Sequence, residues 1–294
     1  MAEPRAAGAI YDLGYQRYGG QRLGRDNAIA NLIRYSFRAA FGIGRGPKAR
    51  LLPMLVTTVV FLPAIVTVAI ASATSRPEVV NYAGQLNFTA FLLALFVAVQ
   101  APELVVTDKQ QGVLSLYLSR PLTATDYAMS KMFAMTGAML VITLGPQLFM
   151  FMGKILLSAT PWTIFKSEYP QLGPIIGGTM MTAIFIAAIG LSLSSLSSKR
   201  ANATASVIAM FLVLPAAAQI VRGVATGAVR KYALLANPIL VITGFANWLF
   251  DVQAKRRAVI TRLDLPPASY LYVMIVVSMV GVGVLVWRYR TQDA

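Results

Sequence analysis

The chain has 294 residues, 57% of them hydrophobic and 13% charged, with a mean hydropathy of +0.64. Ordinary soluble domains carry roughly 45–50% apolar and about 25% charged residues, and disordered chains are poorer still in apolar ones; this balance leaves a membrane protein. There are 26 Lys and Arg against 11 Asp and Glu, with neither His nor Cys, which excludes disulfides, thiolate or imidazole metal sites, Cys nucleophiles and His-based acid–base catalysis.

Residues 1–26 form a basic arm whose run YDLGYQRYGGQRLGR, from Tyr11 to Arg25, has no apolar periodicity. It has two open roles: resting on anionic lipid headgroups, or strapping onto a cytoplasmic partner through its tyrosines. No folded nucleic-acid module accompanies it, so no nucleic-acid partner is expected. Over 27–46 the pattern changes. Ile29, Leu32, Ile33, Phe37, Ala40 and Phe41 follow helical spacing, while Asn31, Arg34 and Arg38 fall on another face. Asp26 or Asn27 is the expected cap, and Gly42, Gly44, Gly46 and Pro47 the stop. This predicts an amphipathic helix lying in the membrane interface.

Six apolar stretches are long enough to cross a bilayer, at about 51–72, 83–101, 132–153, 173–196, 201–221 and 269–287, with no Asp, Glu, Lys or Arg inside these limits. Nine cations precede the first stretch, which puts the N-terminus in the cytoplasm, and an even number of spans returns the C-terminus there. The last external loop, 222–268, strains that rule with seven cations: Arg222, Arg230, Lys231, Lys255, Arg256, Arg257 and Arg262. A seventh span at 234–250 would relieve it. That stretch is short and broken at Asn237-Pro238, so a re-entrant or interfacial segment, with Trp248 and Phe250 at headgroup depth, is the preferred reading.

The segment 102–127 between spans two and three is the most informative. Pro102 is expected to end the second span, with Glu103 at its mouth. The polar run Asp108 to Gly112 follows, then a short apolar-faced helix from Val113 to Leu118, stopped by Arg120-Pro121. Thr123, Thr125 or Asp126 opens the next helix, and Arg120 is a candidate local partner of Asp126.

Pro102-Glu103, then Asp108, Gly112, Leu114 to Leu118, Ser119-Arg120-Pro121-Leu122 and Tyr127 before Lys131 resemble the segment that joins the second and third spans in the membrane subunits of ABC-2 type transporters. The Tyr/Gly/Arg arm is similar to a lead-in of actinobacterial permeases of this kind. The resemblance implies an all-α membrane protein of the type V exporter-like kind: six transmembrane helices, an amphipathic connecting helix and a cytoplasmic coupling helix. It further implies an exporter subunit in a bacterial cell membrane, with drugs, lipids, polysaccharides or peptides as cargo classes. Its partners would be a second permease, identical or not, and two copies of an ABC ATP-binding subunit, with membrane lipids around them. ATP and Mg2+ would bind that subunit, and this chain would hold no cofactor or metal and be no enzyme. Consistently, the chain lacks G-x-x-x-x-G-K-[ST]; its only G-K is Gly153-Lys154.

The resemblance assigns ATPase coupling to Glu103, Asp108, Gln111, Gly112, Leu114, Leu118, Arg120 and Pro121. Glu103 and Asp108 would meet cations of the partner, and Leu114 and Leu118 would fill an apolar cleft in it. The connecting helix would act through Ile29, Leu32, Ile33, Arg34, Phe37 and Arg38. For the substrate path the sequence offers Gln85, Asn87, Phe88, Phe91, Gln147 and Gln219, a set suited to an amphipathic or lipid-like cargo; the glutamines are also expected to satisfy one another across helix contacts. The rival classes are an ion-coupled carrier, which usually places ionisable residues at membrane depth, and a non-transporting structural subunit.

Overall fold

A computed structural model describes residues 24–112, 122–252, 266 and 268–293. These are helical, with no strand among them. Six helices are long and apolar enough to cross a membrane, and each expected span lies inside one of them.

Helix α1, Arg25–Ala40, starts from Gly24 with no side-chain cap; Asp26 sits in its first turn instead, where it complements the positive end of the helix. The end is well specified. Gly42 adopts φ 68°, and the amides of Gly42 and Ile43 donate to the carbonyls of Ala39 and Arg38 at 2.9 Å each, a Schellman arrangement. A Cβ at Gly42 would also run into the backbone of Ala49. α2, Pro47–Thr74, then begins with Pro47 where a missing N–H costs nothing.

Both helices pack on α4, Ala124–Leu156. Gly137, Gly145 and Gly153, eight residues apart, open a groove on α4. A Cβ on each would meet, respectively, Phe37 of α1 at 3.6 Å, Phe61 of α2 at 2.9 Å and Val68 of α2 at 2.6 Å. Arg25 reaches Asp126, and Phe37 lies over Gly137, so α1 runs alongside the first turns of α4. Its apolar stripe is covered by protein: Leu32, Ser36, Ala39 and Ala40 are buried, while Arg34, Tyr35 and Arg38 stay exposed. The expected amphipathic face is therefore correct, and its buried side packs on α4.

α3, Tyr82–Gln110, is the central helix, capped by Asn81 Oδ1 accepting from Gly84 N at 2.8 Å. It passes straight through Pro102, so the expectation that Pro102 ends it is wrong. Proline removes one intrahelical bond, and tertiary contacts on both sides of the break hold the last two turns. α4 opens with a capping box in which Thr123 Oγ1 accepts from Asp126 N and Asp126 accepts from Thr123 N. This bears out the expected start.

α5, Pro161–Glu168, and a 3-10 turn lead into α6, Leu172–Leu196. α7, Arg200–Ile208, and α8, Leu214–Val224, join through one π-helical stretch, Ala209–Val213, to make the fifth span. α9, Gly227–Tyr232, a 3-10 turn and α10, Pro238–Leu249, follow, and α11, Ala268–Asp293, is the sixth span. Helices pack closely where glycines allow it: a Cβ at Gly178, Gly244 or Gly281 would lie 2.8 Å from Leu249, 2.6 Å from Tyr270 and 2.9 Å from the Ala188 carbonyl.

The bundle has two distinguishable ends. At the near end, Gln110 of α3 donates to the Ser198 carbonyl at 3.0 Å, and Arg290 of α11 donates to Thr125 of α4 at 3.2 Å. At the far end, Glu168 accepts from Tyr82 at 3.0 Å and pairs with Lys154 at 2.7 Å, and Phe250 stacks on Tyr82. The fifth span starts near and ends far, at Val224; α10 ends far, at Phe250; α11 starts far. The α9–α10 pair, bent by 90°, thus begins and ends at the same end of the bundle. That is the geometry of a re-entrant segment, not of a seventh span.

Candidate functional site

The near end gathers most of the ion pairs. Three carboxylates sit there, each held by residues from other elements. Glu103, on α3 just after Pro102, meets Arg45 from the α1–α2 link at 2.6 Å and Arg200 from the start of α7. One side chain thereby ties three elements that are far apart in sequence. Asp108, one turn further on, pairs with Lys131 of α4 at 2.6 Å and accepts from the Tyr127 hydroxyl at 2.7 Å. Asp126, which caps α4, accepts twice from the Arg25 guanidinium at 2.8 and 3.0 Å; this bond holds the Arg25 pKa above its ordinary value. Asp126 is thus paired with Arg25; Arg120, its expected local partner, lies outside the described residues.

The Asp108 cluster is the best shielded. The Lys131 side chain is 1% exposed and that of Asp108 12%, and Lys131 also lies over the Tyr127 ring. On the other side Tyr127 meets Tyr289 of α11 edge-on, with ring centroids 4.8 Å apart. A buried ion pair of this kind adds little net stability but penalises any arrangement that separates its members. It fixes the register of α3 against α4 and, through the tyrosines, of α11 against both.

The coupling residues expected from the sequence divide into three groups. Glu103 and Asp108 are side by side on the near end of α3 but engaged within the chain, so the expectation that they face cations of a partner does not fit this arrangement. Gln111 and Gly112 are exposed at the tip of α3, and Gly112 turns the chain with φ 66°. Leu114, Leu118, Arg120 and Pro121 lie outside the described residues. On the connecting helix, Leu32 is buried, Ile29, Ile33 and Phe37 are half-buried and Arg34 and Arg38 are exposed.

The six substrate-path residues do not converge. Gln85 Nε2 donates to the Val60 carbonyl at 2.8 Å and Gln147 Nε2 to the Tyr82 carbonyl at 2.9 Å. The glutamines thus bond to backbone on neighbouring helices and not to each other. Asn87 faces Asn247 of α10 at 3.5 Å. Phe88, Phe91 and Gln219 point away from the core of the chain. Phe91 lines an apolar groove with Leu95, Ile208 and Leu212, between α3 and the fifth span. Among the described residues no group of acidic side chains is placed to hold a metal ion.

Sequence reasoning did not find Arg45, Arg200, Arg25 or Tyr289. Tyr127 and Lys131 were visible as landmarks, one helical turn apart on α4, but nothing local tells which carboxylate they meet. Compared with family models and with the sequences of curated proteins, the chain gives no match.

Proposed function

We propose that this chain is the permease subunit of an ABC-2 type exporter. In this reading it sits in a bacterial cell membrane with both termini cytoplasmic and the near end facing the cytoplasm. It pairs with a second permease and couples to two copies of a separate ATP-binding subunit, which carries ATP and Mg2+. The supporting observation is the braced near end. From Glu103 to Gln110 α3 projects by about 10 Å, at ~1.5 Å per residue, and the start of α4 projects beside it. The Glu103, Asp108 and Asp126 clusters lock the two to α1, α2, α7 and α11. At the tip stand Gln111 and Gly112. A push on that tip moves a stiff lever and not a loose loop, which is what a subunit driven from outside by ATP requires. The absence of a nucleotide-binding motif in the chain accords with this.

In this reading Glu103 and Asp108 transmit force inside the permease, and the contact with the ATPase falls to Gln111, Gly112 and the segment beyond. Affinity purification of the full chain from native membranes tests the proposal: a subunit hydrolysing Mg2+-ATP should accompany it. Glu103→Gln should leave that subunit bound while lowering transport per ATP hydrolysed. Recovery of the chain with no ATPase, or transport that runs on an ion gradient without ATP, sinks the reading. The second outcome would favour an ion-coupled carrier, for which the buried Lys131–Asp108 pair is the relevant feature.

A further inference from the structure

α5 links the far ends of two spans, α4 and α6, and none of its residues is buried. Two sets of contacts fix its height. Ile164 shares a cavity of about 210 Å³ with Ala71 and Ser72, in the last turn of α2, and with Leu157, just past the end of α4. Glu168 is bound to Tyr82, the first residue of α3, and to Lys154, in the last turn of α4. Toward both of its ends α5 is therefore level with the points where apolar helices stop. It lies along the far boundary of the membrane and does not stand clear of it.

The outward side of this segment is aromatic. Trp162, Phe165 and Tyr169 recur at helical intervals and form one row, with ring centroids 5.6 and 6.0 Å apart. Trp162 is 67% and Tyr169 61% exposed, and Lys166 lies over the Trp162 ring. We propose that α5 is an interfacial anchor whose Trp162 and Tyr169 sit among the lipid headgroups of the far leaflet, with Lys166 reaching up to their phosphates. Amphipathic rings favour that layer, where one part of the side chain is apolar and another wet, and a lysine stem lies on apolar surface while its ammonium stays in the polar zone. The exposed surface is continuous with its surroundings: Leu156 and Leu157, immediately before the segment, are exposed, and so is Trp248 near the far end of α10. A protein partner would also take exposed aromatics, but nothing would confine such a patch to the level at which the spans end. The inference stands on membrane insertion alone and does not depend on the chain being an exporter subunit.

The chain has no Cys, so a single introduced cysteine carries a nitroxide spin label to one chosen place. In the full chain reconstituted in lipid nanodiscs, Gln111→Cys at the exposed tip of α3 gives the reference for water. Leu212→Cys, facing outward midway along the fifth span, gives the reference for hydrocarbon. The ratio of oxygen to nickel-chelate collisions at Trp162→Cys and at Tyr169→Cys should fall between the two. A ratio equal to that at residue 111 puts α5 in water and overturns the anchor. A label shielded from both oxygen and nickel is covered by protein, whether a second copy or another chain, and overturns it equally. If circular dichroism shows that Trp162→Cys does not fold, Tyr169→Cys decides the matter alone.

Discussion

α3 and the fifth span are equally apolar, with the same mean hydropathy over their most hydrophobic stretch, yet 72% of that stretch is buried inside the protein in α3 and 17% in the fifth span. Hydropathy determines that a helix leaves water; it does not determine whether the helix goes to protein or to lipid. The difference is written in the minority residues. α3 carries Gln85, Thr89, Gln100 and Asp108, all buried, and polar groups in a membrane must find protein partners. The fifth span, from Ala201 to Val221, is Ala, Val, Ile, Leu, Met and Phe with few polar groups, and Ile208, Leu212, Val213 and Ile220 face outward. Lipid solvates such a surface as well as protein does, so little holds that helix in a crowded place.

Substitutions at the two helices should reproduce this contrast. The largest effect is expected at the Asp108 cluster. Lys131→Met leaves a buried carboxylate unpaired and should cost about 3–5 kcal/mol, with most of it regained when Asp108→Leu is added; unfolding in mixed detergent micelles measures both, and a mild single variant would mean that water reaches the pair. Next comes Gly190→Ala, on α6 against α3, where the new methyl runs into Val97; overpacking should cost ~1–3 kcal/mol, seen as a lowered Tm. Glu103→Gln should cost less, about 1 kcal/mol, because Arg45 and Arg200 are partly exposed and regain water. Its larger consequence is loosened coupling, read as ATP turnover without transport. The smallest effect belongs to Gly223→Ala in the fifth span, where the methyl meets nothing within 4 Å; a change within about 0.5 kcal/mol is expected. A Tm loss there as large as at Gly190 would erase the contrast between the two helices.

Much of the secondary structure was legible. Thr123 and Asp126 at the right spacing announced the start of α4, Gly42 and Gly44 the end of α1, and Asn237-Pro238 the break in the re-entrant pair, because caps, glycines and prolines act over a few residues. Pro102 misled for the same reason: its local preference is to end a helix, and contacts from Arg45 and Arg200 outweigh it. The site was half legible. Glu103 and Asp108 stood out as rare acids beside a membrane span, but an acid alone does not reveal which of 26 cations it meets, since the pairing is made in space by elements as remote as residues 45 and 200.

The sequence by itself determined that the chain belongs in a membrane, where its helices run, which face of α1 is apolar, and that no chemistry based on His or Cys is available. These follow from composition and periodicity, properties of neighbouring residues. Tertiary structure alone decided which span lies at the centre and that the near-end carboxylates brace the bundle from within. Each of these depends on contacts between residues distant in the chain, and the energy of such a contact is set by burial and geometry that no local pattern contains.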